Sequence, residues 1–308
     1  MAAVTLHRET KTTIDMKKTT IILMVIMTLA MSVSGKVRRN TLAIAQTTVP
    51  ETETIIPETM EFVYDYTWCN DTVGHFEDNK TSDQMLLQIA SNGITKFSSY
   101  RNLTVDSLLM KMSENQVVDA YLEGKLANGD FMTIFKNYPE GKLTQTDKVC
   151  MDWFRYVEDI PEIEWELTDS VTNVLGYNCY AAVCNFRGRT WTVFYTEEIP
   201  IMEGPWKLHG LPGLIMKAYD KNQEYVFECV GIKSNASRPI TIYKVPYNNT
   251  SRLKYYDAKH QFDINPFGFY EAVTGEHVDV VDETGTPIND SNEPVELLYD
   301  YIERDWRK

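Results

Sequence analysis

Short apolar runs separated by turn residues fill the chain from residue 61 to about residue 250, and within them apolar and polar positions often alternate. A period of two is typical of β-strands with one buried side. The aromatic and β-branched run at residues 62–68 predicts a first strand. Residues 85–90 and 94–99 predict a hairpin, because Asn92-Gly93 between them adopts positive φ at low cost. The other runs of this kind predict strands at residues 131–137, 143–156, 164–167 and 241–245.

The centre of the chain gives the clearest strand pattern. Residues 177–186 and 190–195 predict two arms of a hairpin joined by residues 187–189. In the second arm every other side chain faces the same way, so Trp191, Val193 and Tyr195 share one side. Another hairpin is predicted from residues 214–219 and 224–232, again with polar residues at the turn.

A period near 3.6 marks one clear helix after the first hairpin. Its apolar face consists of Val105, Leu108, Leu109 and Met112, at i, i+3, i+4 and i+7, with Thr104 as the capping residue. The pattern continues through residues 117–122.

Two more helices are predicted near the end of the chain. One is a short helix over residues 251–260, and the other opens at Asn292 and Pro294 and continues to Trp306. The expected fold class is therefore mainly β with a few helices (α+β), in which a curved antiparallel sheet or a partly open barrel packs on helices.

The N-terminal residues have the pattern of an export signal. Lys17 and Lys18 precede an apolar run at residues 21–31, which ends in small residues up to Gly35. A basic start, a short apolar run and a small-residue exit predict a secretory signal peptide over residues 1–35. Met16 is a more natural start for such a signal than Met1, and an uncleaved anchor stays open as the alternative.

The rest of the chain is expected to divide into two parts. Residues 36–60 are rich in Thr, Pro and Glu without periodicity and predict a flexible leader. Residues 61–308 show no linker and predict a single β-rich domain. After signal cleavage we expect a periplasmic or extracellular protein that does not span the membrane, since the one apolar run is shorter than a spanning helix requires.

Charge and composition exclude several classes of function. Lys and Arg number 30 against 44 Asp and Glu, which gives a net charge of −14, and no basic cluster occurs. Nucleic-acid binding needs Lys and Arg to neutralise phosphates, so no nucleic-acid partner is expected. A mean hydropathy of −0.32 excludes a polytopic membrane protein.

The five cysteines, Cys69, Cys150, Cys179, Cys184 and Cys229, all lie beyond the predicted signal peptide. An exported protein can form disulfides, but an odd number leaves at least one cysteine without an intrachain partner. No C-x-x-C spacing occurs, so zinc knuckles and redox pairs have no support. Buried cysteines that act as small apolar side chains are therefore favoured over a disulfide framework.

The segment at residues 204–215, GPWKLHGLPGLI, resembles the signature of the GLPGLI family, exported proteins of Bacteroidetes-type bacteria. The resemblance extends over residues 176–179, 186–189 and 195–200 upstream, and over residues 225–227 downstream. It implies a family of unknown function, with no catalytic residues to carry over. Members often occur beside outer-membrane receptors and transporters, which implies a role in the cell envelope.

Two interpretations of this signature stay open. In the structural interpretation, residues 211–214 form a type II turn with Gly213 at positive φ, and the segment is a rigid lead-in to the strand at Leu214. In the functional one, the bends display side chains at the rim of the sheet, where an aromatic face, a cation and an imidazole hold a ligand. The arginines of the neighbouring hairpin then join as anion donors. The candidate binding residues are Arg189, Trp191, Trp206, Lys207 and His209.

Most familiar catalytic motifs are absent from the sequence. It contains no G-x-S-x-G, H-E-x-x-H, P-loop or G-x-G-x-x-G pattern, and no cofactor or metal site is predicted. The adjacent carboxylates Glu158-Asp159 and Glu197-Glu198 are expected to be solvated surface acids, because neighbouring residues on a strand point to opposite sides.

Three hypotheses for the function follow. The first is an exported binding or accessory protein that presents an aromatic sheet surface to an apolar or extended ligand. The second is an exported hydrolase with an unrecognised site near His209. The third is an accessory subunit of an outer-membrane transporter or receptor, recognised through a sheet edge.

Overall fold

The structure is a computed structural model that describes residues 3–6, 36–37, 49–57, 59–72, 80–275, 278–281 and 294–307. Residues 7–35, which carry the apolar run of the predicted signal peptide, lie outside the described residues, as do Asn292 and residues 73–79. Strands account for 47% of the structure and helices for 17%. The predicted fold class, mainly β with a few helices, is confirmed.

The strands of the described residues are, in chain order, β1 (Ala3–Leu6), β2 (Lys36–Val37), β3 (Thr52–Ile56), β4 (Thr59–Cys69), β5 (Lys80–Ile89), β6 (Thr95–Ser99), β7 (Thr133–Lys136), β8 (Lys142–Val149), β9 (Asp152–Asp159), β10 (Glu166–Val174), β11 (Tyr177–Phe186), β12 (Arg189–Thr196), β13 (Leu214–Asp220), β14 (Tyr225–Ala236), β15 (Ile240–Tyr243), β16 (Tyr247–Thr250), β17 (Val278–Val281) and β18 (Glu296–Leu297). The helices are α1 (Tyr100–Leu109), α2 (Glu114–Leu122), α3 (Arg252–Ile264) and α4 (Pro266–Thr274).

Twelve of these strands form one large open sheet. Its order is β10-β11-β12-β13-β14-β4-β5-β6-β7-β8-β9-β16. Neighbours are antiparallel except for β16, which runs parallel to β9. The strands β10 and β16 are therefore the two edges of the sheet. Three small two-stranded pairs, β3 with β15, β1 with β17 and β2 with β18, lie outside it.

The predicted hairpins are all present, because each has its turn residues next to its strands. Arg187-Gly188 closes the central one with φ values of +54° and +77°, the positive-φ pair of a two-residue turn that fits the sheet twist. The predicted strand at residues 143–156 is in fact two strands, β8 and β9. Cys150, at a φ of +56°, makes the turn between them.

A large apolar core covers one side of the sheet. It combines Tyr64 and Phe227 of the central strands with Trp191, and with Trp206 and Leu208 from the loop between β12 and β13. Stacking of Tyr66 on Phe227, with ring centres 4.6 Å apart, belongs to it. The aromatic side chains of the central strands are thus core residues. A second cluster, rich in tyrosine, lies between α3, α4 and the strands β8 and β9.

The first helix starts earlier than the sequence predicts. It begins at Tyr100, because the Ser99 side chain accepts a hydrogen bond from the backbone N–H of Asn102. The predicted continuation is a separate helix, α2. A capping box between Ser113 and Gln116 starts it anew.

The predicted C-terminal helix is wrong over its described part. Residues 294–307 contain only the short strand β18 and otherwise follow an irregular path. Leu298, Tyr301 and Ile302 are buried as expected, but the backbone carbonyls of this segment bind side chains of the sheet. Those carbonyls are then unavailable for helical hydrogen bonds.

Two further expectations concern the N-terminal part and the cysteines. Strand β3 forms within residues 36–60, the predicted flexible leader, and pairs with β15, so ordered structure begins before residue 61. All five cysteines are buried, as the sequence analysis favoured. No helix in the described ranges has both the length and the apolar character needed to cross a bilayer.

Candidate functional site

The segment with the GLPGLI-like motif packs into the core. Trp206, Leu208 and Leu211 join the large apolar cluster, and Glu203 pairs with His209 in an isolated β-bridge. Trp206 takes a φ of +55°, unusual for a non-glycine residue, and its ring packs against Trp191 and Phe186 at 5.3 and 5.5 Å. The motif, residues 204–215, is therefore part of the apolar core.

The predicted type II turn at residues 211–214 is wrong in its geometry. Gly213 does not have a positive φ; Gly210 does, at +95°. Gly213 is instead a point of close approach, because a Cβ added there would lie 2.1 Å from the carbonyl oxygen of Thr196. Its N–H donates to the carbonyl of Leu211 at 2.7 Å. Position 213 therefore requires glycine because there is no room for a side chain, and not because the backbone there needs a positive φ.

Lys207 lies at the centre of a buried charge cluster. Its side chain is fully buried, and its ammonium group contacts Glu303 at 2.7 Å and Glu158 at 2.9 Å. It also donates a hydrogen bond to the Tyr156 hydroxyl at 2.8 Å. These three contacts of the ammonium group are all made to other residues of the protein.

Two arginines complete the cluster. Arg187 binds Glu158 at 2.8 Å, and Arg252 binds Glu303 at 2.6 Å and Asp305 at 2.7 Å. Burial alone raises the pKa of Glu303, but the Lys207 and Arg187 charges outweigh it and hold that pKa below its ordinary value. Three cations and three carboxylates thus neutralise one another. Lys207 and Glu303 are fully buried at the centre, whereas Asp305 is 38% exposed at the rim.

Arg189 makes a second buried network beside the first. Its guanidinium group binds Asp220 at 2.8 Å and Glu224 at 2.6 Å. It also donates to the backbone carbonyls of Ile302 at 3.0 Å and Tyr301 at 2.8 Å. A third contact with this stretch comes from the Arg304 N–H, which donates to the Arg187 carbonyl at 2.8 Å. The central hairpin and the motif together fasten the C-terminal segment, residues 298–305, to the sheet.

The five candidate binding residues therefore do not form an exposed rim. Arg189, Trp191, Trp206 and Lys207 are at most 3% exposed. Their charged and aromatic groups already contact other parts of the chain, so in this conformation they offer no surface to a ligand. His209 is the fifth, and it is only partly buried. The arrangement supports the structural interpretation of the motif.

Several residues of these networks were not singled out by the sequence. Glu303 and Asp305 lie in the stretch predicted as a helix, and Arg252 lies in α3. Glu158 was expected to be a solvated acid, which is wrong, whereas its neighbour Asp159 is 85% exposed, as expected. Nothing local in the sequence marks these partners, since the ion pairs of the cluster join residues from 29 to 118 positions apart.

His209 has cationic rather than acidic surroundings. Burial, together with the nearby Lys136 ammonium, lowers its pKa to about 4, against a hydrogen bond to Pro161 that raises it. Lys136 itself pairs with Glu203 and donates to the Leu208 carbonyl. Among the described residues, His209 Nε2 is buried without a hydrogen-bond partner. A general base is usually oriented by a carboxylate or a carbonyl. The Pro161 backbone is such a partner for His209, but no carboxylate among the described residues forms an ion pair with its imidazole.

Acid should destabilise the protein through His209. Its pKa is about 4 in the folded state and 6.5 when unfolded, so the unfolded chain binds the extra proton and stability falls as the pH drops from 6.5 to 4. The shift corresponds to a loss on the order of 3 kcal/mol. Denaturant unfolding at pH 7 and pH 4 should show a smaller difference for His209→Gln than for the unaltered protein. Equal differences would contradict the assignment.

The exposed edge strand β10 offers a different surface. Its first six residues are all exposed, and only Val174 at its end is buried. Four large apolar residues on and beside it are strongly exposed: Leu167 63%, Val171 59%, Leu175 49% and Tyr180 45%. One long side of the strand pairs with β11, and no described strand pairs with the other.

No group of three or more His, Cys, Asp or Glu side chains in the described part of the chain is arranged to hold a metal ion. The carboxylates that do cluster, in the Lys207 and Arg189 networks, are bound to arginine and lysine.

The family model described as "Protein of unknown function (Porph_ging)" matches residues 185–217. This is a Bacteroidetes-type family without a known function, and the match covers a short stretch that includes β12 and the whole motif. The chain is thus similar to that family in the motif and in strand β12 before it.

Two solved structures of PNGF-II, one in space group C2 and one in P21, are similar in fold to parts of this chain. Each is 17% identical with a TM-score of 0.42, over 66% and 65% of this chain. The similar region spans 32% and 33% of those chains, about a third of their length. A likeness this distant carries no functional argument. A search of curated proteins found no match.

Proposed function

We propose that this is an exported accessory protein of the cell envelope, which binds an extended, basic segment of a partner protein along strand β10. The observation that carries the proposal is the long exposed edge with its row of apolar side chains. An unpaired strand is a template for another strand, and soluble proteins protect such edges with charges or bulges. Strand β10 has both, yet its apolar side chains stay exposed. Strand addition to an edge is a common mode of peptide recognition.

The strand register shows how the apolar row is built. Leu167 lies opposite Ala182, and Val171 lies opposite Tyr180. Directly paired side chains share one side of a sheet, so Leu167, Val171 and Tyr180 lie on the same side of the sheet at this edge. A bulge between Leu167 and Val171 interrupts the pairing with β11. An added strand would cover this row and pair with the free side of β10.

Charge identifies the chemistry of the partner segment. Residues 156–186 contain six carboxylates and no Lys, Arg or His. One of them, Glu158, is used in the Lys207 cluster. Asp159 is exposed too, but it lies in β9 and pairs with Lys142. The other four are exposed on β10 or in the segment that leads into it: Glu162, Glu164, Glu166 and Asp169. An edge with this charge favours a basic segment and repels an acidic one.

The other two hypotheses are affected differently by the geometry. A hydrolase centred on His209 has little support, because the imidazole lies next to a lysine and lacks a carboxylate partner among the described residues. The proposal of an envelope partner agrees with the predicted signal peptide and with the resemblance to the GLPGLI family. A transporter or receptor of the outer membrane is the class of partner that this resemblance suggests.

A synthetic strand peptide tests the proposed edge. We expect a nine-residue peptide of alternating lysine and valine to bind, and Val171→Lys to weaken its binding about tenfold or more. The substitution removes an apolar contact worth about 1–2 kcal/mol and adds a like charge. Isothermal titration calorimetry with the purified protein gives the dissociation constants.

Two controls make this experiment specific. Val273→Lys changes another exposed valine, in α4, at 46% against 59% for Val171, and should leave the peptide affinity unchanged. A matched peptide of alternating glutamate and valine should bind at least tenfold more weakly than the lysine peptide. Equal binding of both peptides, or equal loss in both variants, would show that the edge of β10 is not the site.

A further inference from the structure

A small cleft lies far along the sheet from β10, and its chemistry does not depend on the edge. It lies over the strands β6, β7 and β8, between helix α1 and the strands β3 and β15. The cavity measures about 50 Å³. One water takes up roughly 10–15 Å³ of such a cavity, so the cleft has room for a few waters or a small organic molecule.

The floor of the cleft combines a buried lysine with a buried hydroxyl group. Lys96 and Ser98 are two residues apart on β6 and therefore point to the same side. Lys96 is 7% exposed and Ser98 is 5% exposed. Phe135, directly opposite Lys96 on β7, lies beneath the ammonium group at 5.8 Å from Nζ to the ring centre.

Both polar groups have unused hydrogen-bonding capacity. Lys96 Nζ carries three donors, and among the described residues it donates to one acceptor, the Thr241 carbonyl at 2.9 Å. Ser98 Oγ is buried and has no hydrogen-bond partner in the described part of the chain. Buried polar groups are normally paired, and an exception calls for a water, an ion or a ligand.

The charges around Lys96 leave it a cation at neutral pH. Burial lowers its pKa to about 8; the Asp106 carboxyl raises it, and Arg238 lowers it further. Asp106 accepts a hydrogen bond from the Tyr243 hydroxyl at 2.6 Å, and burial raises its pKa. A desolvated ammonium group with free donors binds an anionic oxygen through short, charge-assisted hydrogen bonds.

We propose that this cleft binds a short-chain carboxylate, whose carboxylate group meets the Lys96 ammonium and the Ser98 hydroxyl. One part of the remaining wall is apolar: Leu103, Phe131 and Ile242 line the cavity and favour a ligand with a short apolar part. The Asp106 carboxyl group lines it as well, where it accepts the hydrogen bond from the Tyr243 hydroxyl. A chain of two to four carbons is about what a space of 50 Å³ accepts.

The probe for this site is sodium propionate, with propionamide as its neutral counterpart of nearly the same shape. We expect propionate to bind the full-length protein with a Kd on the order of 1 mM, since so few atoms supply limited contact. Ligand-observed NMR with a titration gives the affinity. Propionamide should bind at least tenfold more weakly.

Variants locate the binding in the cleft. Lys96→Met should weaken propionate binding at least tenfold, and Ser98→Ala about threefold. Lys125→Met removes a lysine whose side chain is 72% exposed and should change nothing. Circular dichroism shows whether each variant is folded. If Lys96→Met does not fold, the Ser98→Ala variant and the comparison with propionamide still decide the question.

The proposal is overturned by any of three results. These are no propionate binding at concentrations well above the expected Kd, equal binding of propionate and propionamide, or unchanged affinity in a folded Lys96→Met. None of these results bears on peptide binding at β10, because no residue of β10 lines the cleft. The Val171→Lys variant should bind propionate normally for the same reason.

Discussion

Replacing Gly213 by alanine should lower the free energy of unfolding by about 3 kcal/mol or more. The new Cβ would lie 2.1 Å from the Thr196 carbonyl oxygen and 2.6 Å from the carbonyl carbon. Both atoms belong to the backbone of β12, so no side-chain rotation relieves the clash, and the motif and the strand must move apart. Overpacking that forces a backbone shift is among the few mechanisms that give such large effects. Denaturant unfolding of the two proteins measures the difference.

Gly141 provides the control. Unlike Gly213 it has a positive φ, +71°, but a Cβ added there meets nothing within 4 Å. Gly141→Ala should therefore cost only the strain of a left-handed alanine, about 1 kcal/mol. Thr196→Ala should not rescue Gly213→Ala, because the clash is with the backbone of Thr196. Similar losses at Gly213 and Gly141 would mean that the motif does not pack this closely against β12.

The sequence predicted the central hairpins well because strands and turn are neighbours in the chain. Arg187-Gly188 and Asn92-Gly93 lie between strands whose alternation is visible over a few residues. The same local reasoning failed at residues 294–307. There the apolar spacing suggests a helix, but Arg189 binds the carbonyls of Tyr301 and Ile302, and that contact spans more than 100 residues. Local propensity yields to tertiary contacts of this kind.

The candidate site shows a similar division. The motif was identified from its residues, and Trp206 and Lys207 are indeed central to it. Their burial was not predictable, because it depends on where distant segments pass. A lysine in a loop is normally solvated. No residue near Lys207 in the sequence indicates that this lysine pairs with Glu158 and Glu303. The cleft at Lys96 was not predicted for the same reason, since its walls come from separate parts of the chain.

Replacing Arg189 by methionine should lower the free energy of unfolding by about 3–5 kcal/mol. The change leaves Asp220 and Glu224, both nearly fully buried, without their shared guanidinium partner, and breaking one side of a buried ion pair costs about this much. The Tyr301 and Ile302 carbonyls also lose their donors. We therefore expect the segment 298–305 to loosen, which limited proteolysis detects as faster trypsin cleavage after Arg304.

The control for that variant is Lys217→Met, which removes an ion pair of similar length in the same sheet. Lys217 and Glu228 lie 2.8 Å apart, but their side chains are 31% and 45% exposed. A pair in contact with water contributes at most about 1 kcal/mol, so Lys217→Met should scarcely change stability or cleavage. If Arg189→Met were equally mild, the C-terminal segment would be held by its apolar side chains alone. A large effect of Arg189→Met together with rapid cleavage would instead show that the central hairpin acts as an ionic clasp on the C-terminal segment, which explains why its arginines are buried.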